Sequence, residues 1–177
     1  SELTDKLNRM LPVDITIYSI KQVTNEAHAR FDAKSRLYRY YITANKDPFR
    51  HPFLFKIHGD VDIVMMNKCA KVLFEYRDFT SFSKLHTDVK TNNCDIMLAE
   101  WTQDGQNLIF TIKADRFLRN MVRSIVGTLI SAGKGKIDEE GMRQIIEAKD
   151  RSAAGTSAPA HALFLEEVEY DSNIYIV

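Results

Sequence analysis

At 177 residues, 45% of them apolar and 27% charged, the chain is long enough for one well-packed domain, 1–177, and too short for two ordinary ones. Its 24 Lys/Arg against 24 Asp/Glu leave no net charge, which excludes a wholesale basic nucleic-acid binder. No run approaches the roughly eighteen apolar residues of a membrane span, and the polar, acidic opening SELTDKLNRM is unlike a signal peptide, so a cytoplasmic protein is expected.

Taken in chain order, SELTDKLNRML predicts a short helix. VDITIYSIKQV alternates Val13, Ile15 and Ile17 in the manner of a half-buried strand. RLYRYYITAN (36–45) is aromatic, β-branched and alternating, a second strand that ends at the turn signal 45–48. DIVMMNKCAKVLFEY (62–76) has helical periodicity through Ile63, Met66, Ala70, Leu73 and Phe74, with Asp62 as its N-cap. DFTSF (78–82) is a compact aromatic segment. NCDIMLAEWTQ and NLIFTIKA, joined at Asp104-Gly105, form the clearest hairpin.

ADRFLRNMVRSIVGTLISAGKGK (114–136) reads as a helix with one apolar face. Arg116, Arg119 and Arg123 then share a side, with hardly an acid nearby. KGKIDEE is a loop, EEGMRQIIEAKD a further amphipathic helix, SAAGTSAPAHA a small-residue loop and LFLEEVEYD a last strand. Mixed elements with hairpin connections predict an α+β fold on a mainly antiparallel β-sheet, with helices packed on one face.

Charge is distributed unevenly along this order. The segment 30–56 carries seven Lys/Arg against Asp32 and Asp47, and 113–136 carries six against Asp115. The tail 138–171 holds nine Asp/Glu against Arg143, Lys149 and Arg151. Two basic segments could build one positive face on a neutral protein, or be merely solvated; the pattern alone favours neither. Cys69 and Cys94 lack any CxxC-like partner and read as reduced thiols. His28, His51, His58, His86 and His161 have no ligand spacing, so no metal site is expected. GxSxG, P-loop, GxGxxG and HExxH motifs are all absent.

Two stretches stand out. Arg123 is pressed by Met121, Val122, Ile125 and Val126, and a partly buried guanidinium needs an acid, a phosphate or several carbonyls. In SRLYRYYI, Arg36, Tyr38 and Tyr40 share one strand face while Leu37, Arg39 and Tyr41 share the other. Tyrosine and arginine on an open sheet face can stack a base and hold its phosphate; an ordinary aromatic strand is the alternative.

HARFDAKSRLYRYYI (28–42), EYRDFTSF (75–82), KADRFLRNMVRSIVGTL (113–129) and AKDRSAAGTSAPAHALFLEEVEY (148–170), in that order and spacing, closely resemble the C-terminal half of the TruA family of tRNA pseudouridine synthases. The resemblance implies a cofactor-free isomerase that converts uridine to pseudouridine in the anticodon arm of tRNA by base detachment, rotation and C-glycosidic rejoining. It places the family's catalytic tyrosine at Tyr38, stacked on the target base, and its basic residue at Arg123, ion-paired with the catalytic aspartate. Arg116, Arg119, Arg36 and Arg39 are the implied RNA-binding residues.

The family's aspartate sits in an R-x-D-x-G-V-H motif of the N-terminal half, and no such motif occurs here. Arg30-Phe31-Asp32 copies its first three residues, but Ala33-Lys34-Ser35 follows where G-V-H is needed. With Ser1 in place of an initiator Met, a domain excised from a longer enzyme and inactive alone is expected. Its implied partners are tRNA, the missing N-terminal domain and a second copy in a homodimer. Arg123 should then lack a strong acid partner in this chain. Asp115 stands where the family usually has Asn, Ala162 where it has Gly, and Cys94 where Arg is frequent. The competing readings are a stand-alone RNA-binding module and a structural or dimerisation domain.

Overall fold

A computed structural model describes residues 2–84 and 91–176, and divides the chain into two compact units, 34–169 and 1–33 with 170–177. His86, named above, lies outside the described residues.

The larger unit is built on one sheet. Strand β1 (Ala33–Thr43) pairs antiparallel with β4 (Asn107–Ala114), which pairs antiparallel with β3 (Ile96–Asp104). On its other side β1 meets the two-residue β2 (Phe55–Lys56) in parallel and the last strand β5 (Leu163–Tyr170). Ser35 Oγ donates to Glu169 while the Tyr41 hydroxyl donates to Glu166, so β5 runs opposite to β1. The expected hairpin is present: β3 and β4 are joined by Gly105 and Gln106. Positive φ at Gly105 alone (57°) is what a type II′ turn asks of its first central residue.

The alternation of β1 and β4 decides where the core lies. Tyr40, Ile42, Phe110 and Ile112 are fully buried on one face, joined there by Ala99 and Trp101 of β3. Three helices complete that core: α2 (Ile63–Val72) through Met66, Cys69 and Ala70, α3 (Met121–Gly133) through Met121, Ile125 and Leu129, and α4 (Glu139–Glu147) through Met142 and Ile146. An α+β fold with these three helices on one sheet face is therefore observed. No helix among the described residues is long and apolar enough to cross a membrane.

Asp62 caps α2 as expected, its carboxylate accepting from the Val64 and Met65 amides at 2.8 and 3.0 Å. Asn67 on the same helix closes the outer edge of β3: its side chain donates to the Trp101 carbonyl and accepts from the Trp101 amide, as a neighbouring strand would.

Two expected elements are corrected. VDITIYSIKQV forms no strand. In the smaller unit α1 (Glu2–Met10) places Asn8 so that its side chain takes both the amide and the carbonyl of Ile17, at 2.8 Å each. Ladder groups spent on a side chain cannot pair with a strand, and Val13 and Tyr18 stand almost wholly exposed. An isolated bridge, Val23 to Tyr175, and Lys21 over the Tyr175 ring tie this segment to residues near the chain's end.

The second correction is the helix read over 114–136, which begins only at Met121. Asn120 adopts φ 70°, a left-handed conformation that no helix propagates through. The Asp115 carboxylate takes the amides of Asp95 and Arg116 at 2.7 Å each, fixing the approach as a turn. Arg116 and Arg119 thus precede the helix, and only Arg123 rides on it.

The Asp62 cap makes a quantitative expectation. Asp62→Ala should lower unfolding stability by about 1 kcal/mol in a denaturant titration, while Asp62→Asn or Asp62→Ser should recover most of it.

Candidate functional site

The sheet end formed by the start of β1 and the end of β4 gathers most of the singled-out residues. Tyr38 pairs with Ile112 on the core face, two residues from Tyr40, and is half-buried. Its ring meets Phe117 edge-on, with centroids 5.3 Å apart and planes at 87°. That contact holds the ring upright while its hydroxyl makes no hydrogen bond among the described residues. The open aromatic face expected for this strand is thus only partly realised, because Tyr40 is fully buried beneath the helices. The Tyr40 hydroxyl donates to the Pro159 carbonyl at 2.7 Å. Burial pushes this phenol well above its ordinary range, with the Arg123 charge opposing the shift.

Arg123, on the first turn of α3, is half-buried. Its Nε donates to the Ala158 carbonyl at 2.6 Å, while the Ala158 amide donates to the Arg123 carbonyl at 2.9 Å. No carboxylate among the described residues lies at ion-pair distance from Arg123, Arg116 or Arg119. A guanidinium fixed through Nε keeps its two terminal amino groups for another acceptor.

Arg36 shares the face of Tyr38 and donates to the Asp115 carbonyl at 2.6 Å. Arg116 is half-buried and Arg119 exposed, both on the turn that carries Phe117. This places Arg36, Arg116 and Arg119 along one strand start and the turn beside it. Arg39 is separated from them, because it points to the opposite sheet face with Tyr41. Asp115 adds no ion pair to these arginines; its carboxylate serves the turn instead.

The partners that organise the site carry little signal in the sequence. Phe117 falls on the apolar face of the helix expected over 114–136, and Ala158 and Pro159 fall in the small-residue loop. Gly127 on α3 is the local clue: a Cβ there would collide with the Thr156 carbonyl, so the glycine marks a backbone crossing.

Among the described residues no group of three or more His, Cys, Asp or Glu could hold a metal ion. His28, His51, His58 and His161 are exposed, and His161 Nε2 meets the Leu54 carbonyl at 3.1 Å. Both cysteines are free and buried. Burial, with a contribution from Asp115, pushes the Cys94 thiol up to about 12. Burial, aided by Glu139 and Asp138, pushes Cys69 up to about 11. A thiol reagent at pH 8 should therefore leave both native cysteines unmodified for hours and titrate both at once in denaturant; rapid native labelling of either would contradict this packing.

Comparison with known proteins bears on this arrangement. A family profile described as tRNA pseudouridine synthase matches residues 70–171. A tRNA pseudouridine synthase A of Parabacteroides distasonis is 60% identical over 175 residues, covering 99% of this chain and 69% of the relative. That of Bacteroides thetaiotaomicron is 57% identical, covering 98% of this chain and 65% of the relative. The Bacillus subtilis protein of the same name is 38% identical over 94% of this chain and 68% of its own length. The chain thus spans about two thirds of the length of the relatives it matches. Identity of 60% over 99% of this chain, with the profile match beside it, leaves one conclusion: the chain belongs to the TruA family of tRNA pseudouridine synthases.

Proposed function

We propose that this chain supplies the base-stacking and arginine-bearing half of a site that isomerises uridine to pseudouridine in the anticodon arm of tRNA. In such an isomerisation the N1–C1′ glycosidic bond breaks, the base turns, and a C5–C1′ bond forms while C5 gives up a proton and N1 gains one. Product and substrate are isomers, so no electrons or atoms enter from a co-reactant.

The observation that carries the reading is Arg123, held by the Ala158 carbonyl with its terminal amino groups unclaimed by any described carboxylate. A planar fork with two free amino groups suits a bidentate carboxylate. The partner in this reading is the catalytic aspartate of an R-x-D-x-G-V-H segment, supplied by a part of the protein beyond this chain. Fixing that carboxylate in advance lowers the reorganisation needed at the reacting sugar. Tyr38, braced edge-on by Phe117, offers a face to the flipped uracil, and its hydroxyl, without a hydrogen-bond partner among the described residues, is available for proton transfer. Arg36, Arg116 and Arg119 take phosphates near the flipped nucleotide. Arg39, on the opposite sheet face, contacts a different part of the RNA. The setting is cytoplasmic.

Two measurements test this. tRNA should bind the chain weakly, losing roughly tenfold or more in affinity between about 50 and 200 mM salt, and Arg116→Ala with Arg119→Ala should flatten that slope. Salt-independent binding, or none at low salt, would favour a structural domain instead.

In the full-length enzyme, Arg123→Lys should cut turnover while leaving tRNA affinity nearly intact, because the charge persists and the fork is lost. Tyr38→Phe should keep binding and lower the rate about a hundredfold or more if the hydroxyl moves a proton, and only slightly if the ring merely stacks. The 177-residue chain alone should form no pseudouridine; product from the purified chain would overturn the division of the site.

A further inference from the structure

The position of Arg123 depends on one carbonyl in a loop, so what holds that loop is part of the site. Residues 151–159 run from the end of α4 towards β5 and cross α3 at its first two turns. The crossing is close: Gly127 has no Cβ to obstruct the Thr156 carbonyl, and the Gly155 amide donates to Thr128 Oγ1 at 2.9 Å.

Half-buried Arg151 closes the loop on itself. Its Nη1 reaches the carbonyls of Ala154 and Gly155 at 3.4 and 3.3 Å, and its Nη2 donates to Ser157 Oγ at 2.8 Å. The same Ser157 oxygen accepts Asn120 Nδ2 at 2.6 Å. Ser157 therefore receives two donors, one from the loop and one from the left-handed residue that begins α3. Directly after it, Ala158 exchanges its amide and carbonyl with Arg123.

We infer that Arg151, acting through the Ser157 hydroxyl and Asn120, is a positioning residue that sets the Arg123 guanidinium. It touches neither Arg123 nor a carboxylate among the described residues; its forked donors are spent on two carbonyls and one hydroxyl. The fork matters more than the charge, because a lysine at 151 has no planar pair of amino groups to span Ala154, Gly155 and Ser157 together. The Gly155–Thr128 bond holds the loop before this node, and the Tyr40–Pro159 bond fixes its far end. Without the Arg151–Ser157–Asn120 node, Ala158 would be free to pivot between the two. The inference rests on the role proposed for Arg123.

The test has two arms. In the 177-residue chain, the Arg123 Nε–H resonance should exchange slowly in the native protein. Arg151→Lys and Ser157→Ala should both lose that protection, and Ser157→Thr, which keeps the hydroxyl, should retain it. In the full-length enzyme, Arg151→Lys and Ser157→Ala should lower kcat about tenfold to a hundredfold with KM for tRNA unchanged, and Ser157→Thr should restore it.

Full activity in Arg151→Lys would overturn the inference, and so would an Arg151→Ala variant that raises KM alone and is rescued by lysine, the mark of a phosphate contact. If Ser157→Ala does not fold, Arg151→Lys, an exchange at a half-buried position, carries the same prediction. Normal turnover in Arg123→Ala would instead defeat the role assigned to Arg123, and the inference with it. Loss of turnover in Arg123→Ala beside normal Arg151 and Ser157 variants would defeat the inference alone.

Discussion

The reciprocal hydrogen bonds between Arg123 and Ala158 are the constraint on which the rest of the site depends. One joins the Ala158 amide to a helix carbonyl, and the other joins the Arg123 side chain to the loop carbonyl. Together they make the start of α3 and the loop before β5 a single piece. A charge-assisted bond to a carbonyl in a half-buried setting is stronger than a neutral one, and here it restricts the guanidinium to one orientation. The bonds are possible only because Gly127 lets the backbones approach. A residue without a side chain thus determines where a charged side chain points.

The sheet supplies the second fixed reference. Tyr40 is fully buried and reaches Pro159, so β1 is tied to the same loop that holds Arg123. Tyr38 lies two residues along on the same face, at the point where the helical cover thins and Phe117 stands beside it. A tyrosine at position 40 is fully buried and a tyrosine at 38 only half-buried for a positional reason: α3 begins late. Had the helix started at residue 115, its first turn would extend over the strand start. The left-handed Asn120 and the turn fixed by Asp115 keep that region uncovered.

Charge on this chain is organised locally rather than globally. No described carboxylate lies at ion-pair distance from Arg116 or Arg119 on the turn before α3, whereas Lys113 on the opposite sheet face meets Glu167 and Glu169 of β5 at 3.5 and 3.0 Å. Arg143 and Glu75 likewise form a bidentate pair at 2.8 and 2.9 Å. Exposed pairs of this kind add little stability, but they neutralise basic residues away from the site. The outcome is a neutral molecule in which Arg116 and Arg119, without an ion pair among the described residues, lie at one sheet end, an arrangement suited to phosphate.

The sequence by itself determined the elements whose signals are local. The hairpin follows from alternation around Gly105, and α2 from its periodicity and the Asp62 cap; that Tyr40 lies on the covered face rather than an open one is visible only in the fold. The four blocks in order were enough to indicate the family that the comparisons established. Tertiary structure decided what depends on groups distant in sequence. Alternation at Val13, Ile15 and Ile17 yields no strand, because Asn8 takes the Ile17 backbone groups. Helical spacing through Arg116 and Arg119 yields no helix, because Asp115 and Asn120 hold a turn there. The acceptor for Arg123 lies 35 residues away, on a loop whose small residues carry no periodic signal. Periodicity reports which face a residue would occupy if its element formed; the hydrogen-bond partners that let the element form, or stop it, come together only when the chain folds.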